Sequence, residues 1–229
     1  MSPTSLRARI AIIAGSAVAA GAVHAAADHE PFEEAAMFVE QNATDGDTEV
    51  VITGVAGDDG LNLLRIRSLD GRVYARLFSP DPTTLGMREF HFESPEPPGE
   101  AVLAAYPEGR YELYGESTEG DTFRSVLRLS HQLPPAVTIL HPADEAEVPD
   151  EALTIRWSPA AGIQGYVIEV ENESGEVERA LTVDLGPHAT SFRVPNSFIV
   201  PGGEYQIGVH SVHQNGNIVV VETTFTVEE

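Results

Sequence analysis

The sequence predicts an all-β protein made of two tandem antiparallel β-sandwiches behind a cleavable signal peptide. Three observations carry that reading. Short apolar alternations recur after the first 27 residues, separated by Gly, Asp, Asn and Pro, which is the rhythm of short strands joined by turns. A stiff "QLPPA" segment, Gln132–Ala136, divides them into two groups. The 229 residues suit two small domains.

The first 27 residues read as a leader. Arg7 and Arg9 form a positive start, and Ile10–Val23 is an apolar run too short for a comfortable membrane span. Ala25-Ala26-Ala27 places small residues for cleavage before Asp28, and Val23-His24-Ala25 offers a second cut. The chain has no Cys for a lipid anchor and no adjacent Arg pair, so general export is expected, to a periplasm or the extracellular space of a bacterium. Residues 28–34 form a short extension. An exported chain without Cys must be held by its cores rather than by disulfides.

Residues 35–131 form the first sandwich. "AAMFVEQ" and "TEVVITGV" are its first strands. In "LNLLRIRSLDGRVYARLF", Asp70-Gly71 turns the chain, with Leu64 and Ile66 on one face and Val73, Ala75 and Leu77 returning together. "REFHFES" alternates Phe90 and Phe92 against His91 and the glutamates. "EAVLAAY", after a Pro-rich loop, is expected as a single helical turn, and "RYELYGES" and "TFRSVLRLS" close the unit.

Residues 137–229 supply seven further strand segments, from "VTILHPAD" to "NIVVVETTFTV". Leu153-x-Ile155-x-Trp157, Gly165–Val170, Ile199–Tyr205 and "HQNGNI" occur in order along this half. On these residues the stretch 135–229 resembles a fibronectin type III domain. The resemblance implies an Ig-like sandwich in which Trp157 fills the space between the sheets and Tyr205 forms a tyrosine corner. Integrin recognition is unsupported, because there is no Arg-Gly-Asp. Pro107-Glu108-Gly109-Arg110-Tyr111 echoes the corner in the first half, which matches no named family. Trp157, Tyr166, Tyr205 and Tyr111 are therefore read as core.

Thirty-six acids face thirteen bases, and every base is Arg. That balance repels nucleic acid and anionic lipid, so neither is an expected partner, and no membrane span is expected in the mature form. The chain has no thiol, no Gly-x-Ser-x-Gly elbow and no Gly-rich phosphate loop, so no catalytic constellation is expected. No cofactor is expected apart from calcium. The calcium candidate is "NATDGD", where Asn42, Asp45 and Asp47 carry oxygens around Gly46, with Asp58, Asp59 or Glu93 as further donors. Its spacing is not that of an EF-hand, and a polar hairpin turn is the preferred reading of it. Tyr74, Tyr114 and His91, on the outward phase of their strands, together with His213 and Asn215, are the candidate binding surface. The expected function is non-enzymatic binding or spacing at the cell exterior, toward a protein or glycan. The alternatives are a small secreted hydrolase using carboxylates of the first unit and a calcium-rigidified structural module. Oligomeric state is left open.

Overall fold

Period-two alternation buries one side of each segment, and the chain solves that demand twice with the same plan. The structure, a computed structural model, describes residues 29–56, 58, 60–79, 86–96, 98–149, 153–174 and 179–229. The expected leader, and Asp59, lie outside the described residues.

One unit comprises residues 29–40 and 47–132. Its strands are β1 (Glu34–Asn42), β2 (Thr48–Val55), β3 (Leu61–Ser68), β4 (Val73–Phe78), β5 (Glu89–Glu93), β6 (Gly109–Ser117) and β7 (Thr122–Leu129). Strands β1-β2-β5 are neighbours in one sheet, and β4-β3-β6-β7 form the other. Leu64, Ile66 and Leu113 are fully buried on the inner side of the second sheet. Phe32 joins that core, edge-on to Phe90 and tilted against Phe123. The helix α1 (Gly99–Ala105) runs longer than the single turn expected and buries only Val102.

The other unit comprises residues 133–229 together with Gln41–Gly46. Its strands are β8 (Ile139–His141), β9 (Ala146–Val148), β10 (Thr154–Trp157), β11 (Ile163–Asn172), β12 (Arg179–Leu185), β13 (Ser191–Arg193), β14 (Glu204–His213) and β15 (Ile218–Val227). They form a β13-β10-β8 sheet and a larger sheet in the order β12-β11-β14-β15. Leaving β9 aside, both units put their first, second and fifth strands in one sheet and the other four in the second. Both are therefore Ig-like, fibronectin type III-like sandwiches. Trp157 is 1% exposed and packs edge-on against Tyr166, at the centre of a cluster with Ile155, Ile168, Val209 and Phe225.

Two further details differ from expectation. An eighth strand, β9, pairs in parallel with β15 through Phe225↔Ala146 and Val227↔Val148. Three residues between Glu145 and Pro149 carry too little alternation to be read as a strand. Val73 also does not share a face with Ala75 and Leu77. The register shifts between Ile66 and Arg67, so Val73 lies opposite Arg67 and is 52% exposed. One extra residue on β4 is enough to move a side chain to the opposite face.

Each penultimate strand starts at a corner. The Tyr205 hydroxyl donates to Phe198 O at 3.2 Å and accepts from Val200 N at 2.8 Å and Asn172 Nδ2 at 3.0 Å. Gly203 is required beside it, because a Cβ there would lie 2.7 Å from the Tyr205 ring. In the other unit the Tyr111 hydroxyl donates to Pro107 O at 2.7 Å. Burial and the Tyr74 hydroxyl together hold the Tyr111 phenol above its usual pKa range, so it stays a donor.

Tyr205→Phe should destabilise the 133–229 unit by about 1–3 kcal/mol, because it strands buried partners without filling any space. Trp157, the sole tryptophan, lies in that unit. Denaturant unfolding followed by its fluorescence should show a lower midpoint at unchanged slope.

Candidate functional site

The "NATDGD" stretch forms the turn between β1 and β2. Gly46, at φ 89°, takes a conformation that favours glycine, and its N–H donates to Asn42 O at 2.8 Å. Asn42 is 4% exposed. Its Oδ1 accepts from Thr44 N at 2.9 Å, an Asx turn, and its Nδ2 donates to Glu222 Oε2 at 2.7 Å. Ala43 N donates to Val220 O at 2.8 Å, and Glu222 N donates to Thr44 Oγ1 at 2.8 Å. The tip is thus bonded along β15. A cation at Asn42 Oδ1 would compete with the Thr44 N–H. Asp45 is exposed and Asp47 half-buried. Among the described residues no group of three or more His, Cys, Asp or Glu side chains is placed to share a metal ion.

The expected surface residues fall in three places. Tyr74 is half-buried rather than outward, stacked on Tyr106 at 5.1 Å with the Arg72 guanidinium 4.8 Å from its centroid. Tyr114 keeps its outward phase, but Arg65 covers its ring at 4.9 Å and His29 meets its ring at 5.8 Å, edge to face. His91 points outward from β5, with Nε2 2.7 Å from Glu93 Oε1. His213 and Asn215 order the β14–β15 turn: Asn215 N donates to His213 Nδ1 at 3.2 Å, and Asn217 N donates to Asn215 Oδ1 at 3.0 Å. Tyr74 and Tyr114 share the β4-β3-β6-β7 sheet. His91 and the His213–Asn215 turn lie on other elements.

Sequence reasoning missed the strongest cluster. Glu112 is 2% exposed on β6 and accepts from Arg67 Nε at 2.7 Å and Arg124 Nη2 at 2.6 Å, with Arg65 Nη2 at 3.8 Å. Cross-strand register explains the convergence: Arg67 lies opposite Glu112, and Arg65 and Arg124 flank Tyr114. Burial alone would raise the Glu112 pKa, but the Arg67 and Arg124 guanidinia outweigh it and lower it. By register Arg76, Arg110 and Arg128 belong to the same outward face. All three are exposed and make no ion pair among the described residues. The sequence signal was available in "RIR" on β3 and "RSVLR" on β7, whose arginines share a phase.

No protein-family model matches the sequence. No curated protein matches it either. Among solved structures, the FN1–FN3 domains of chicken contactin align at 12% identity with a TM-score of 0.35, over 88% of this chain and 65% of that one. The chain therefore spans somewhat less than two thirds of that segment. A two-domain fibronectin type III segment of chicken tenascin aligns at 13% identity with a TM-score of 0.30, over 86% of this chain and 99% of that one.

Glu112→Gln should cost about 1.5–3 kcal/mol near neutral pH, because it removes the charge that three guanidinia surround. Since folding lowers the Glu112 pKa, its contribution is complete above the unfolded carboxylate range and fades as pH falls through the folded value. Wild type and variant should therefore converge in acid when melting temperatures are compared across pH. For the turn, Asn42→Ala should lower the melting temperature by the loss of a buried charge-assisted bond. Adding calcium after EDTA should leave both proteins unmoved; a calcium-dependent rise abolished by Asp45→Ala/Asp47→Ala would identify a cation site instead.

Proposed function

We propose that this chain is an exported, non-enzymatic binding module that offers the outward face of β4-β3-β6-β7 to a partner protein outside the cytoplasm. The observation that carries this reading is the composition of that face. Arg76, Arg110 and Arg128 stand exposed beside Val73, Phe78 and Val126, which are 52%, 65% and 42% exposed. Arginine interleaved with apolar side chains is the composition of protein contact surfaces.

A glycan partner is less well matched, because the two nearby tyrosine rings already stack within the fold and leave no broad aromatic platform. The reading of export rests on residues 1–27. Among the described residues no helix is long and apolar enough to cross a membrane.

The test uses two polyanions of different backbone on the immobilised protein. Poly-L-glutamate should bind, weaken as salt rises, and weaken further in Arg110→Ala/Arg128→Ala. Binding of polygalacturonate alone would turn the reading to an acidic glycan. Binding of neither would remove the proposal that this face is a recognition surface.

A further inference from the structure

The two units carry opposite charge on topologically equivalent faces. On the β4-β3-β6-β7 sheet, register collects six of the thirteen arginines, at 65, 67, 76, 110, 124 and 128, on the outward face. Only Glu112 and Glu116 oppose them among the strand residues of that face. Glu112 is consumed by three of the arginines. On the equivalent β12-β11-β14-β15 sheet, register puts Glu169, Glu171, Asp184, Glu204 and Glu222 on the outward phase. Asp184 and Glu204 are exposed there, whereas Glu169 is buried beside His210 and Glu222 Oε2 is held by Asn42 Nδ2. No arginine of the described strand residues shares that face, since Arg179 lies opposite Asn172 on the inner phase. Residues 133–229 as a whole hold fifteen acids and three arginines.

We infer that the arginine face of one copy docks on the acidic surface of residues 133–229 of a second copy. This rests on the binding-module reading above and names its partner. Charge decides the geometry. Arginine face against arginine face would repel, so the contact must join unlike surfaces of the two copies.

Three features make the basic face suited to the task. Glu112 fixes Arg67 and Arg124 from below, and Tyr114 supports Arg65, so these guanidinia lose little freedom on docking. Arg76, Arg110 and Arg128 are left to engage carboxylates, for which the planar guanidinium gives two parallel donors. Val73, Phe78 and Val126 add apolar area to the same face. At long range two acidic copies repel, so association should depend on close contact between the complementary faces.

Sedimentation velocity over a concentration series tests this directly, with Arg76→Glu/Arg110→Glu/Arg128→Glu as the variant. The variant leaves Arg65, Arg67, Arg124 and Glu112 intact, and an unchanged melting temperature should confirm that it folds. At about 0.1 M salt, where the Debye length is about 10 Å, wild type should sediment faster as concentration rises. At about 1 M salt, where screening reaches about 3 Å, it should return to the monomer value. The variant should remain monomeric at both. Mixed with wild type it should still be taken into complexes, because its acidic surface can receive a wild-type arginine face.

A wild type that stays monomeric at about 0.1 M salt would overturn the inference, as would association that survives the variant or resists high salt. If the monomeric protein still bound poly-L-glutamate, only the second-copy partner would fall and the binding-module reading would stand.

Discussion

Without a cysteine, each sandwich depends on the apolar contact between its two sheets, and everything else is arranged around keeping that contact dry. In the 133–229 unit the contact centres on Trp157 and Tyr166, with Tyr205 stacked on Phe225 at 5.1 Å. The Tyr205 hydroxyl then ties the segment before β14 to the strand itself. The other unit has no tryptophan and fills the equivalent space with Phe32, Phe90, Phe123 and aliphatic residues. A common strand order with differently composed cores explains why the two halves share so little sequence pattern. Topology constrains the phase of burial, while the side chains need only fill the volume.

What was legible in the sequence was whatever depends on neighbours along the chain. Alternation places Leu64, Ile66, Ile155 and Trp157 inward, and the Pro-Gly-Gly-Glu-Tyr run marks the corner that the Tyr205 hydroxyl closes. Tyr111 was legible by the same logic, despite a weaker motif. Features that depend on cross-strand register were not legible. The shift beside Arg67 sends Val73 outward and leaves Tyr74 stacked on Tyr106, against the simple period-two reading. The bond from Asn42 to Glu222 joins residues 180 apart. No local rule could have indicated it.

The arginine face shows the same limit from the electrostatic side. A net charge of −23 describes the chain as a whole and suggests uniform repulsion of anions. Register gathers arginines from four strands onto one plane, about 5 Å apart between strands, and gives that plane the opposite sign. Glu112 is the counterweight that allows so many guanidinia to sit together, and its burial shows how completely it is enclosed. A total charge therefore says little about what a protein of this architecture can touch.

The two asparagine amides also have a practical consequence for how the protein is made. Asn42-Ala43-Thr44 and Asn172-Glu173-Ser174 both satisfy the acceptor pattern for N-linked sugar in a eukaryotic secretory pathway. In each, the nitrogen that would carry the sugar is already a donor inside the fold, to Glu222 Oε2 and to the Tyr205 hydroxyl. Both residues are less than a tenth exposed. A host that attaches glycan before the chain folds would place a bulky branch where a buried bond belongs, so production without N-glycosylation is the route compatible with this structure.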